Sequence, residues 1–152
     1  PATVPPAGMR PSIIVATYNH PRWHEKVLWG YAVQTHRDFE LVVADDGSGP
    51  ETAAMLARMR DESGLALRHV WHEDEGFRKS EILNHAIRAA TGDYLIFTDG
   101  DCIPRRDFVA THVRFAAPGR YLSGHTMRLS LATSEAIGRD DVTSNRCFDA
   151  RW

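Results

Sequence analysis

The sequence predicts an α/β fold in which a mostly parallel sheet carries helices on both faces. Short apolar runs rich in Val, Ile and Leu recur along the chain, and stretches with helical periodicity separate them. Apolar strands without polar alternation are typical of parallel sheets that are covered on both sides. Acidic residues and glycine directly follow two of these runs, where α/β proteins bind their ligands. The predicted fold class is therefore Rossmann-like.

The first half of the chain contains two predicted strand–helix units. Residues 12–17 (SIIVAT) form a short β-branched run that predicts a buried strand. A helix follows over residues 21–34, with apolar side chains at helical spacing. The second strand is predicted at residues 39–44, and Pro50 favours the start of a short helix over residues 51–60.

The second half repeats the alternation and then weakens. A third strand is predicted at residues 65–71, and a helix with a clear apolar face at residues 80–90. The run at residues 94–98 predicts a fourth strand, and residues 104–115 a further helix. A fifth, weaker strand is expected within residues 120–130.

The length of 152 residues fits one domain. We expect a leader or cloning remnant at residues 1–10, one folded domain at residues 11–130 and a separate terminal segment at residues 131–152, with one short helix near 133–137.

Composition excludes several classes of protein. A net charge of -2 gives no bulk attraction to nucleic acid, so a bound anion requires a local site. Cys102 and Cys147 are too few for a disulfide framework, which favours a reducing cytoplasm. Since no apolar run approaches eighteen residues, we expect no transmembrane segment, although peripheral contact with the inner face of a membrane is compatible with the sequence.

The sharpest motif is Asp99-Gly100-Asp101, directly after the fourth predicted strand. Two carboxylates one residue apart at a strand end can point into the same crevice. Oxygen ligands of this kind suit Mg²⁺ or Mn²⁺, which would neutralise the diphosphate of a substrate. The alternative is an acidic turn that caps the following helix.

A second acidic pair, Asp45-Asp46, ends the second predicted strand, and Thr17-Tyr18-Asn19 ends the first. One carboxylate could accept from the imide N–H of a nucleobase while the other fixes the loop, and Tyr18 could stack on the base. The alternatives are an ordinary turn and an aromatic residue that covers the edge of the sheet.

Basic and polar residues surround the third predicted helix. Arg78-Lys79 precedes its N-terminus, where phosphate is favoured, but the pair could equally be solvated beside neighbouring acids. Asn84 and His85 could face the site or solvent. The histidines show no ligand spacing: His69 and His72 would point to opposite faces of a strand, and we interpret both as surface or rim residues.

The order of these motifs resembles the nucleotide-sugar-binding half of inverting family-two glycosyltransferases with the GT-A fold, over residues 12 to about 125. Gly76-Phe77-Arg78, Asn84 and Gly92-Asp93 are similar to bacterial polysaccharide and lipopolysaccharide members. The resemblance implies a nucleotide-sugar site comprising Thr17, Tyr18, Asn19, Asp45, Asp46, Arg78, Asn84, Asp99 and Gly100, and a metal site of Asp99 and Asp101.

The same resemblance implies that residues 11–130 are the nucleotide-sugar-binding domain and that residues 131–152 begin a truncated acceptor region. It also implies transfer of a hexosyl or acetylhexosaminyl group from a nucleotide diphosphate sugar, UDP-sugar favoured, to a saccharide or lipid-linked acceptor. Mn²⁺ or Mg²⁺ would be the cofactor. The general base of that family lies well beyond its acidic motif, so we expect it after Trp152, with Glu135, Asp140 and Asp141 as weaker candidates. Two alternatives remain: a haloacid-dehalogenase-like phosphatase, and a donor-binding module without catalysis.

Overall fold

The computed structural model describes residues 8–149, and its centre is a four-stranded sheet in the order β3-β2-β1-β4. All neighbouring strands pair in parallel. The strands are β1 (Pro11–Thr17), β2 (Glu40–Asp45), β3 (Leu67–Trp71) and β4 (Tyr94–Asp99). The predicted parallel α/β architecture is confirmed.

Helices cover both faces of the sheet, because the side chains of β1 and β2 alternate between two apolar clusters. On one face, Ile13 and Val43 pack with helices α1 (Pro21–Ala32), α2 (Pro50–Ser63) and α4 (Phe108–Phe115). On the other face, Ile14 packs against α3 (Lys79–Ala89). Both faces of β1 and β2 are completely buried, as the unbroken apolar runs predict.

The strand register brings three strand ends together at one edge of the sheet. Thr17 of β1 pairs with Asp45 of β2, and Ala16 of β1 pairs with Asp99 of β4. The loops that carry both acidic pairs therefore begin at the same level of the sheet and flank the end of β1.

Two predictions for the second half were wrong. Residues 120–130 form no strand, and their side chains are exposed. The helix expected from residue 104 begins at Phe108, because the preceding residues pack against the end of α1. There Pro104 lies so close to Gly30 that a Cβ on Gly30 would be 2.7 Å from its ring, and the Arg105 carbonyl accepts from Gln34.

The segment after residue 130 folds back onto α1. It contains α5 (Leu131–Ala136), α6 (Arg139–Thr143) and a short 3-10 helix (Arg146–Phe148). Lys26 of α1 donates to the Ser134 carbonyl at 2.6 Å, and Ile137 and Val142 are almost completely buried. The short helix expected near residues 133–137 is confirmed. Residues 1–7, within the predicted leader, and 150–152 lie outside the described part of the chain.

A buried carboxylate joins the strands at the opposite, amino-terminal edge of the sheet. Glu40 Oε1 accepts from the Ser12 hydroxyl at 2.6 Å and from the Thr91 amide at 2.6 Å. Burial raises the pKa of Glu40, but these hydrogen bonds outweigh burial and bring the pKa down to about 2. Glu40 thereby ties β1, β2 and the turn before β4 together.

Candidate functional site

The acidic motif at the end of β4 forms a compact set of metal-ligand atoms. One oxygen of Asp99, one of Asp101 and the Cys102 sulfur all lie within 4.8 Å of one another. Both carboxylates are exposed, and the ammonium of Lys79 lies 2.5 Å from Asp99 Oδ1. Carboxylate oxygens are the ligands that a hard divalent cation prefers, and Lys79 would compete with that cation for Asp99. The residues present therefore fit the metal site that the motif predicts.

Gly100 is required at the centre of this motif because the backbone comes very close to β1. Its amide donates to the Ala16 carbonyl at 2.7 Å, and a Cβ would lie 2.7 Å from that oxygen. The same Cβ would be 2.9 Å from the His24 ring, whose Nδ1 donates to the Gly100 carbonyl at 3.4 Å. His24 is fully buried, and burial lowers its pKa to about 4. The motif thus rests on a neutral, buried histidine.

Asp45 has both carboxylate oxygens occupied by protein donors. The Ser48 amide donates to Oδ1 at 2.9 Å, and His69 Nε2 donates to Oδ2 at 2.8 Å. Its side chain is 1% exposed. Burial raises the pKa of Asp45, but the hydrogen bonds from His69 and Ser48 outweigh burial, so the pKa lies below its ordinary value. Asp45 is placed to hold the loop after β2.

Asp46 connects the loop after β2 to the start of α3. His72 Nε2 donates to Oδ1 at 2.7 Å, and the backbone amide of Arg78 donates to Oδ2 at 3.1 Å. The side chain of Asp46 is 8% exposed. A carboxylate has about four lone-pair sites, so two remain for a ligand that reaches this rim.

The three residues that end β1 differ in exposure and contacts. Thr17 is buried, and its carbonyl accepts from the Asp46 amide at 3.0 Å. Tyr18 is 46% exposed and donates to Asp74 at 2.9 Å, a hydrogen bond that raises its pKa. Asn19 has a positive φ of 47° and accepts from the Gly49 amide at 2.9 Å. Tyr18 and Asn19 are both exposed, and Tyr18 offers an aromatic surface for a ligand.

Arg78 occupies the N-cap position of α3, and its guanidinium lies among acidic residues. It donates to the Glu73 carbonyl at 2.7 Å and lies 3.1 Å from Glu75 and 3.3 Å from Glu81. Asn84 is exposed on the same helix. The basic pair predicted to precede the helix lies at its start, with Arg78 as the N-cap and Lys79 as the first residue of α3.

A shallow groove of about 580 Å³ lies beside the loop after β2, on the side of α2. Trp71 forms one wall, and its indole donates to the Ser48 carbonyl at 3.0 Å. The groove shares Asp74 with the Tyr18 contact, so it adjoins the region of the acidic pair. Its lining residues are Gly47, Ser48, Gly49, Pro50, Ala53, His69, Trp71 and Asp74.

Sequence reasoning missed His24, His69, His72 and Cys102. His69 and His72 are part-buried rim residues, but the interpretation did not foresee that each donates to one member of the acidic pair. The available signal was that His69 and His72 are predicted to point to opposite faces of their strand. The adjacent acids Asp45 and Asp46 also point to opposite sides of a strand end, so each histidine could meet one acid. Cys102 directly follows the acidic motif, and His24 lies one turn inside α1. Only a known strand register shows that these residues meet.

Comparison with protein families identifies one matching family model. The model described as "Glycosyl transferase family 2" matches residues 12–141. Among curated proteins, the glycosyltransferase YfnE of Bacillus subtilis is 33% identical over 107 residues, which cover 70% of this chain and 26% of that protein. The hyaluronan synthase of Pasteurella multocida is 34% identical over 103 residues, 67% of this chain and 10% of the synthase. This chain thus spans about a quarter or less of either protein.

Solved structures show the same likeness. A mannosyltransferase from Pyrobaculum calidifontis, in complex with GDP-Man and Mn²⁺, is 35% identical with a TM-score of 0.65, over 76% of this chain and 34% of that one. Staphylococcus aureus TarS 1-349, in complex with UDP-GlcNAc, is 26% identical with a TM-score of 0.58, over 68% and 30%. Among residues 8–149, no helix is long and apolar enough to cross a membrane.

Proposed function

Because this chain belongs to glycosyl transferase family 2, we propose that it is the donor-binding part of an enzyme that transfers a sugar from a nucleoside diphosphate to an acceptor hydroxyl. The observation that carries the proposal is the convergence of an exposed acidic motif, an acidic pair and a basic helix start at one edge of the sheet. Family membership favours this interpretation over a haloacid-dehalogenase-like phosphatase.

The diphosphate is proposed to lie between Asp99-Asp101 and the start of α3. Asp99 and Asp101 would hold Mn²⁺ or Mg²⁺, with Asp101 as the more direct ligand because Asp99 already pairs with Lys79. When bound, such an ion neutralises the leaving diphosphate and favours its departure. The solved mannosyltransferase complex with GDP-Man and Mn²⁺ supports this assignment. Arg78 and Lys79 add positive charge on the opposite side of the phosphates.

The nucleobase is proposed to lie over Tyr18 with its edge at Asp46. Each oxygen of both carboxylates accepts from one protein donor, but the side chain of Asp46 is 8% exposed and that of Asp45 only 1%. We therefore propose that Asp46 accepts from the base and that Asp45 supports the loop. A carboxylate accepts from the N–H of uracil or guanine, and cytosine has no such N–H at that position. UDP-sugars are therefore favoured and GDP-sugars remain compatible. The other residues proposed to line this donor site are Thr17, Asn19, Asn84 and Gly100.

Inversion of the anomeric centre, with a hexosyl or acetylhexosaminyl group as cargo, is part of the proposal. The acceptor would be a saccharide or a lipid-linked saccharide, as in bacterial polysaccharide synthesis. The base is proposed to lie beyond Trp152. Within the chain, Asp141 is poorly suited because it caps α6 through Gly138 at 2.9 Å and pairs with Arg146 at 2.7 Å. Glu135 and Asp140 are exposed.

The test compares this chain with a longer polypeptide from the same gene. Each is incubated with Mn²⁺, radiolabelled UDP- or GDP-sugars and a pool of saccharide and lipid-linked acceptors. We expect both to bind the donor and only the longer one to transfer sugar rapidly, because positioning of the acceptor contributes a large part of the rate. If neither polypeptide binds a nucleoside diphosphate, the result contradicts the proposal. Equal transfer rates would place the base within residues 131–152, with Glu135 and Asp140 the first to mutate.

A further inference from the structure

We propose that His72 is a positioning residue that orients the Asp46 carboxylate for recognition of the nucleobase. This inference rests on the proposed function, and it assigns a specificity role to a side chain outside the predicted donor site. It begins from the short hydrogen bond of 2.7 Å between His72 Nε2 and Asp46 Oδ1.

The position of the His72 ring is determined by the protein on several sides. His72 follows β3 directly, and its side chain is 11% exposed. Its ring meets the His85 ring of α3 edge-on, with 6.1 Å between the ring centroids. The ring therefore cannot rotate freely, and it fixes the direction from which one oxygen of Asp46 is bound.

The hydrogen bond also defines which nitrogen carries the proton. A carboxylate only accepts, so Nε2 must donate to Asp46. The other ring nitrogen, Nδ1, is buried without a hydrogen-bond partner among residues 8–149. In the neutral ring this arrangement corresponds to the Nε2–H tautomer, with a bare lone pair at Nδ1.

The second oxygen of Asp46 is fixed independently, by the Arg78 amide at 3.1 Å. Two donors, from the start and the end of the loop between β3 and α3, define the plane of the carboxylate and leave one acceptor site on each oxygen. Hydrogen bonds are directional, so a base N–H is recognised only when that plane is held. Without His72, only the hydrogen bond from the Arg78 amide holds the carboxylate. The carboxylate can then rotate about its Cβ–Cγ bond and loses this preference.

The experiment measures base selectivity rather than affinity alone. Dissociation constants for UDP and CDP are determined by calorimetry with Mn²⁺ in the wild type and in His72→Leu, His72→Gln and His36→Gln. Gln places an amide N–H close to the position of Nε2, whereas Leu fills the space without a donor. His36 lies beyond α1, at the opposite edge of the sheet, and serves as the control for loss of a histidine.

We expect His72→Leu to reduce the CDP-to-UDP ratio of dissociation constants about tenfold, the typical effect of one hydrogen bond to a charged group. His72→Gln restores most of the ratio, and His36→Gln leaves it unchanged. A purely structural role would weaken UDP and CDP binding equally, and an unchanged ratio in His72→Leu overturns the inference. If the wild type binds no nucleoside diphosphate, the proposed function fails as well.

A second measurement needs neither nucleotide nor variant. Nitrogen-15 NMR of the histidine rings in the wild-type protein reports the tautomer of each ring. We expect the Nε2–H tautomer for His72. A ring protonated on Nδ1 alone cannot donate to Asp46 from Nε2, and that result overturns the inference even if His72→Leu does not fold.

Discussion

The two edges of the sheet both carry acidic side chains, but they differ in burial and in how many hydrogen bonds the protein donates to them. At the amino-terminal edge, Glu40 accepts from the side chain or backbone of Ser12 and Thr91. At the carboxyl-terminal edge, Asp99 has one partner, Lys79, and Asp101 is exposed. A buried carboxylate that accepts several hydrogen bonds from the protein stabilises the fold, whereas an exposed carboxylate with few such bonds is available to a ligand.

Asp45 and Asp46 lie between these extremes. Asp45 resembles Glu40 because it is buried and accepts hydrogen bonds from the protein that lower its pKa. Asp46 also has two donors but lies at the rim, next to Tyr18 and Arg78. Adjacent residues of one motif therefore have different roles, which the sequence motif alone does not distinguish.

The largest expected effect concerns the buried, hydrogen-bonded carboxylate of Glu40. Glu40→Leu should lower the free energy of unfolding by about 4 kcal/mol, because it leaves the buried hydroxyl of Ser12 and the amide of Thr91 without their acceptor. UDP affinity should stay unchanged. Urea denaturation measures the first quantity and calorimetry the second. Glu51→Leu, on the exposed first turn of α2, is the control and should cost less than about 1 kcal/mol.

Acid should destabilise the protein in two separate windows. The His24 pKa is depressed from 6.5 to about 4, so the unfolded chain takes up a proton first, and stability falls as the pH drops from 6.5 to 4. The expected loss is about 3 kcal/mol. The stability that Glu40 contributes is lost at lower pH, as the pH falls from its ordinary pKa of 4.5 to its folded pKa of about 2. Urea denaturation at stepped pH measures both windows. His24→Gln should remove most of the upper loss and leave the lower one, since burial also lowers the pKa of His112 and the rest of the upper loss is due to it. A flat profile from pH 6.5 to 4 would contradict the burial of His24 beneath Gly100.

Gly100→Ala tests the close approach of the metal motif to β1. The added methyl group meets the Ala16 carbonyl and the His24 ring, so the loop must shift. We expect a loss of about 2 kcal/mol in stability and weaker Mn²⁺ binding, measured by thermal unfolding and by calorimetry. Gly124→Ala is the matched control, because a Cβ there meets nothing within 4 Å. Equal effects of the two substitutions would refute the packing argument.

The smallest expected effect concerns Lys79. Since its ammonium already neutralises Asp99, Lys79→Gln should bind Mn²⁺ about threefold more tightly in the absence of nucleotide. With UDP present the gain should disappear, because one cation facing the diphosphate is lost. Mn²⁺ titration followed by electron paramagnetic resonance measures both states. Arg88→Gln, in the last turn of α3, is the control. Weaker Mn²⁺ binding without nucleotide would contradict the competition between Lys79 and the ion.

The sequence predicts the sheet, the helices and both acidic motifs because these depend on local signals. The β-branched runs of β1 and β2 specify strands, and Asn19-His20-Pro21 after β1 and Gly47 after β2 mark their ends without knowledge of the partners. The strand expected at residues 120–130 fails for the opposite reason, since a strand requires a neighbour and no such ladder forms on β4 among the described residues.

The hydrogen bonds from histidines to the acidic motifs could not be predicted from the sequence. The pairs His69–Asp45 and His72–Asp46 join residues 24 and 26 positions apart, and they depend on the register between β2 and β3. His24 meets Gly100 only because β1 and β4 are neighbours in the sheet. The acidic motifs are short stretches of sequence, whereas the histidines that orient them lie far away along the chain.

The most direct test of the central claim, that open carboxylates at the end of β4 bind a donor through a divalent ion, is calorimetric titration of UDP. It is carried out with Mn²⁺ and with chelator, in the wild type and in Asp101→Asn. We expect chelation and the substitution each to weaken UDP binding at least about thirtyfold, and the substitution to leave the unfolding temperature within about 2 °C of the wild type. Equal UDP affinity in all four titrations would contradict the account.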